Sequence, residues 1–465
     1  MTTRRTILLW FTLFFALFAV ILAIIDPWNA FTERTGLLCL SALLFLMAFA
    51  FLRRGSPAGA PLPIMLWIGL VVGLTLRAFI LWTAEAPSPG LGFDLFSGQA
   101  ILNGLNPYAY TAEELLGGGL RVGEPALERG RDLIAGSPTL EAWLKQISPT
   151  QTHTDTPMLA LPLLVAAQSL TGDQSLGWFV ILLCSDLLTL GLLFLLLRRL
   201  RYAQGWALLF WLNPIWLTAL FLPGAPMILI GPLLLLALWA SISERSALTG
   251  ILLALAATLN FWLIALLPLL LRSAGRRPQA WRRAAYGLVG FILVAGLLWT
   301  VQALFGAPVH WFGGLTAMGE ASGTQIGRLF MVDDTGLVSG LTRLATPLWL
   351  LALAGLAFLL AWPPLPDQAQ RALRMSFIGF VALFLSAQDQ PQALLALIVV
   401  LPLTRSPVLV LASGFGLLVS VLAGLNLSVA GLEPPLLARL SLGIVIGVLF
   451  GATWVASIRR NQALE

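Results

Sequence analysis

Apolar runs close to the twenty residues that cross a bilayer core about 30 Å thick recur along almost the whole chain, with short arginine clusters between them. No other feature constrains the fold as much. A backbone in hydrocarbon must satisfy its own hydrogen bonds, which a helix does within one segment. Hydrophobic residues occupy 58% of 465 positions, charged residues 10%, and mean hydropathy is +0.90. No water-soluble domain has a core large enough to hide that much apolar surface. The chain is expected to be an all-α polytopic membrane protein, with one integral membrane domain over 1–465.

The net charge of +6 does not point to nucleic acid, because the arginines stand at the ends of the apolar runs. Arg4-Arg5, Arg53-Arg54, Arg198-Arg199 with Arg201, Arg276-Arg277, Arg282-Arg283 and Arg459-Arg460 read as markers of the cytoplasmic side. Cys39 and Cys184 lie inside apolar runs, where packing is the expected role. The first run, 6–25, is too long for a signal-peptide core and is expected to remain as an anchor.

With Arg4-Arg5 in the cytoplasm, 6–25 exits, 36–52 returns and 61–82 exits again. That makes 83–156 a long external loop. Within it Ser137 can cap a helix that has Pro138 in its first turn. Leu140, Trp143, Leu144 and Ile147 then share one face, as in a helix lying on the membrane surface. The run 157–170 is too short to span and is expected to be interfacial or re-entrant. Next, 176–197 ends inward at the Arg198–Arg201 cluster, 206–222 exits and 225–241 returns. The segment 247–271 is long enough to cross, yet the stretch after it is strongly basic. A break near Asn260, giving two half-helices, reconciles length with charge. Further helices at 284–305, 345–362, 373–387, 392–404, 407–428 and 438–457 bring the total to roughly 12–14 and leave both termini cytoplasmic, with 306–343 external.

The most informative string lies in the first external loop. Phe93-Asp94-Leu95-Phe96-Ser97-Gly98-Gln99-Ala100 leads into Ile101-Leu102-Asn103-Gly104-Leu105-Asn106-Pro107-Tyr108. An acid just beyond an outgoing helix, followed by a Gly-x-Asn-Pro-Tyr turn, resembles the GT-C class of membrane glycosyltransferases, especially the bacterial branch that uses polyprenyl-phosphate-mannose. Leu212-Asn213-Pro214 inside a helix, Leu267-Pro268-Leu269 after Asn260 and Leu401-Pro402-Leu403 follow in the same order.

The resemblance implies a GT-C-like bundle in the bacterial cytoplasmic (inner) membrane, with a long first periplasmic loop. It also implies transfer of a hexose, mannose in that branch, from a polyprenyl-phosphate-linked sugar to a glycan or lipid acceptor on the external face. Such a transfer needs a carboxylate near the water–membrane boundary to take the acceptor proton, and Asp94 is the expected catalytic base. Asn106 and Tyr108 within the loop, Asp155 at its far end, and Arg328 in the later external segment are expected on the substrate. Arg77, stranded in an apolar run, is a candidate partner for the donor phosphate, with snorkelling to the outer interface as the competing reading.

No protein-held metal is expected, since His153 with Asp155 is too sparse a ligand set; a divalent ion on the donor phosphate is the one cofactor role left open. The chain carries neither a Walker A string nor a Rossmann Gly-x-Gly-x-x-Gly, which favours a lipid-linked donor.

Two other functions are compatible with these residues. Gly224-Ala225-Pro226-Met227 stands where the resemblance leads one to expect Gly-His-x-Asp, and Asn260 where it leads one to expect lysine. These departures fit a catalytically degenerate GT-C-like protein that binds a lipid or a membrane partner. Arg77 and the broken helices fit a transporter or flippase.

Overall fold

The computed structural model describes residues 64–83, 89–108, 112–117, 124–137, 141, 144–145, 156–171, 174–213, 216–221, 224–271, 279–304, 355–356, 360, 368–385 and 396–404. Among these the regular structure is helical, without strands. The longer elements are α1 (Ile64–Thr83), α2 (Pro89–Leu102), α3 (Pro125–Ala135), α4 (Leu161–Thr171), α5 (Gln174–Arg199), α6 (Ile230–Ile242), α7 (Ser246–Leu259), α8 (Gln279–Leu304) and α9 (Gln368–Leu385).

Among the described residues, Ser175–Arg199 and Arg282–Val301 are long and apolar enough to cross a membrane, by length and composition. α5 has 26 residues and is about 39 Å long, ample for a 30 Å core. α8 turns apolar side chains outward, with Leu293 67% and Leu297 65% exposed. A surface of that kind is at home in lipid rather than in water.

α1, α4, α5, α6 and α7 build the main core, into which Trp178, Trp211 and Trp216 are fully packed. Trp211 lies across α1, its indole N–H donating to the Leu70 carbonyl at 3.0 Å. A Cβ on Gly73 would stand 2.1 Å from that indole nitrogen, so only glycine admits the ring. α7 and α8 approach more closely still. A Cβ on Gly250 would fall 1.8 Å from the Gly287 carbonyl oxygen, which means that the two backbones touch.

Several expected helices are interrupted. The span 206–222 divides into a 3₁₀ turn (Gln204–Ala207), one α turn (Leu208–Trp211) and a π turn (Trp216–Phe221). Asn213 thus follows a helix end rather than standing inside a helix, and its Oδ1 accepts from the Trp216 N–H at 3.2 Å. A break does occur at Asn260, whose backbone is extended (φ −154°, ψ 108°), with a 3₁₀ segment (Phe261–Leu266) and a short helix (Leu267–Leu271) beyond it. Of the expected helix over 392–404 the described part, 396–404, holds two 3₁₀ turns, Ala396–Val399 and Leu401–Thr404. The run 157–170 holds α4, whose 11 residues make it about 16 Å long, too short to span.

The loop 83–156 contains more helix than the sequence led us to expect. α2 occupies part of it, and α3 packs Leu127 and Ile134 with Phe96, Ala100, Leu105, Leu115 and Leu144 in a second small core. Leu144 belongs to the anticipated amphipathic helix, of which Glu141, Leu144 and Lys145 are described and helical.

α5 and α6 end alike. Tyr202 N–H donates to the Leu197 carbonyl and Arg245 N–H to the Ala240 carbonyl, and the residue before each donor, Arg201 (φ 56°) or Glu244 (φ 59°), is left-handed. Glycine is the usual occupant of such a helix-closing position.

Candidate functional site

α2 starts at Pro89, whose missing N–H costs nothing in a first helical turn, and carries Asp94 and Ser97 one turn apart. At the end of α2 each residue of the Gly-x-Asn-Pro-Tyr string has a physical task. Gly104 adopts φ 69°, which lets Leu105 N–H close the helix on the Ala100 carbonyl at 2.8 Å. Asn106 Oδ1 accepts from the Tyr108 N–H at 3.0 Å, a side-chain-closed turn that Pro107 stiffens.

That turn sends the Tyr108 ring inward, 3% exposed, where its hydroxyl donates to the Thr156 carbonyl at 2.8 Å. Thr156 Oγ in turn donates to Asp94 Oδ1 at 2.5 Å. With its one proton aimed at the carboxylate, the same oxygen, 3.1 Å from Ser97 Oγ, is placed to receive the serine proton. Asp94 is 8% exposed, Thr156 2% and Ser97 0%. Burial pushes the Tyr108 phenol far above its ordinary range and the Asp94 charge adds to the shift, so Tyr108 remains a proton donor. Beside this cluster Gln99 Nε2 donates to Gln168 Oε1 at 3.0 Å and ties α2 to α4.

The structure therefore joins Asp94, Asn106 and Tyr108 in one hydrogen-bonded unit. Asp94 lies on a helix, where the sequence had led us to expect a loop. Asp155 and Arg328 lie outside the described residues. Thr156, Ser97 and the Gln99–Gln168 pair escaped the sequence reading because uncharged polar residues in a polar stretch carry no signal of their own.

Arg77 has an internal partner. Its Nε donates to Asp186 Oδ2 at 2.5 Å, and its Nη1 donates to the Gly73 and Trp211 carbonyls at 3.0 and 2.9 Å. The guanidinium carbon lies 3.6 Å from the centre of the Trp211 ring. Trp216 Nε1 donates to the other Asp186 oxygen at 2.7 Å. Both charges are wholly buried, so Arg77 does not snorkel. Asp186 was the missed half of this pair, and its signal was available: a lone acid inside an apolar run on α5.

Asn260 and Met227 also come together. Asn260 Nδ2 lies 3.7 Å from Met227 Sδ. A Cβ on Gly224 would stand 2.8 Å from Leu91, one turn before Asp94 on α2. Among the described residues no three His, Cys, Asp or Glu side chains are grouped to hold a metal.

No protein-family model, curated protein or solved structure matches the chain.

Proposed function

We propose that this protein is a polyprenyl-phosphate-dependent hexosyltransferase of GT-C type. In this reading it is a bundle of roughly 12–14 membrane helices in the bacterial inner membrane, with both termini cytoplasmic. The observation that carries the reading is Asp94, almost buried and held by Thr156 beneath the Asn106-Pro107-Tyr108 turn.

In the proposed reaction the acceptor hydroxyl oxygen attacks the anomeric carbon on the face opposite the phosphate. The bond from that carbon to the phosphate oxygen breaks with its electron pair, and the polyprenyl phosphate leaves. The anomeric configuration inverts, and the hydroxyl proton passes to the Asp94 carboxylate. Thr156 keeps the carboxylate in one orientation, as an aligned attack requires. No resident metal enters the proposal; any divalent ion would travel with the donor phosphate.

Purified protein given radiolabelled polyprenyl-phosphate hexoses and an acceptor extract should transfer label, and the Asp94→Asn variant should not. Failure of the parent with every lipid-linked sugar would leave the catalytically degenerate reading. That reading has an observation of its own: Asn260 Nδ2 lies 3.7 Å from Met227 Sδ, where the resemblance calls for charged groups.

A further inference from the structure

We infer that the end of the bundle where α5, α6 and α8 meet binds the headgroup of an anionic glycerophospholipid. Three segments far apart in sequence converge there. Arg199 Nη1 donates to Ser243 Oγ at 2.8 Å, and Arg283 pairs with Glu244. The end of α5, the turn after α6 and the start of α8 thus share one rim, and Glu244, the acid these segments carry, is already taken.

The side chains of Arg198, Arg201, Arg245 and Arg282 are exposed on these same segments and have no hydrogen-bond partner among the described residues. Helix stabilisation accounts for Arg198, in the last turn of α5, but not for Arg201 or Arg282. Arg282 lies in the first turns of α8, where the helix dipole disfavours a cation. Arg201 occupies a left-handed position (φ 56°) that glycine would fill without strain.

Directly beyond this rim the same bundle exposes apolar side chains: Leu195 on α5, Leu248 on α7, and Tyr286 and Val289 on α8. Unpaired guanidinium groups above an apolar wall match a phosphate ester joined to acyl chains. A polynucleotide would leave that wall without a partner.

The test uses the full chain in detergent, exchanged against mixed phosphatidylcholine and phosphatidylglycerol, with retained lipid measured by native mass spectrometry. The parent should retain phosphatidylglycerol preferentially. Each of Arg201→Gly, Arg245→Gln and Arg282→Gln should weaken retention about fivefold, and the three together about a hundredfold. Arg201→Gly should unfold at the same temperature as the parent or higher, because glycine suits its backbone, so weaker retention in that variant reports the lost charge and not a lost fold. Equal retention of the two lipids by the parent would overturn the inference, as would unchanged retention by the triple variant. Displacement by inorganic phosphate at a matching concentration would overturn it too, since the acyl chains would then contribute nothing.

Discussion

Asp186 and Asp94 are both carboxylates withdrawn from solvent, but they are held in different ways. Asp186 faces a full opposite charge, and its two oxygens are engaged by Arg77 and the Trp216 indole in the centre of the helix bundle. Asp94 is held by the hydroxyl of Thr156, in the first half of a helix that leads into a polar turn. A buried ion pair of the first kind fixes how helices register, since either charge alone is costly in that place. A carboxylate that accepts from a hydroxyl can still take a proton on its other oxygen. The contrast gives the first acid an architectural task, and it is the second that the proposed transfer uses.

The largest effect should come from separating the ion pair. Asp186→Leu strands the Arg77 charge and should cost about 3–5 kcal/mol in denaturant unfolding, while adding Arg77→Leu should restore much of the loss. If the double variant is no more stable than the single one, the two charges are not a coupled lock. Asp94→Asn should lower turnover by about 10²-fold or more and change stability little. A large loss of stability there would place Asp94 in the same structural class as Asp186.

Smaller effects should follow along the chain of hydroxyls. Thr156→Val removes the donor to Asp94 and should cost about 1–3 kcal/mol, with a fall in turnover that Thr156→Ser largely rescues. Tyr108→Phe should cost only about 1 kcal/mol by thermal unfolding. The smallest effect is on pH dependence. The folded phenol of Tyr108 ionises at a higher pH than the unfolded one, so its contribution is complete below the ordinary value of about 10 and is lost as pH rises beyond it. The alkaline fall in stability should therefore be shallower in Tyr108→Phe than in the parent.

Much of the helical framework was legible. α1 and α5 follow apolar runs of spanning length, and the break at Asn260 followed from a conflict between segment length and basic flank. α2 was not legible, because glycine, serine and aspartate within Pro89–Leu102 read as loop, and its helicity depends on packing against α4. α3 could have been found from Pro125 in its first turn and Leu127 and Ile134 seven residues apart. At the candidate site, the Gly-x-Asn-Pro-Tyr string marked the turn but not Thr156, because a contact across 62 positions leaves no local trace. Arg77 and Asp186 were each visible as stray charges; pairing them required knowing that their helices are neighbours.

The backbone contact at Gly250 and Gly287 has a mechanical consequence. With no side chain between them to change rotamer, α7 and α8 cannot slide or rock independently and behave as one rigid strut. One end of that strut stops at Asn260, whose backbone is extended. The extended residue at that end is where the chain turns against the strut's fixed frame.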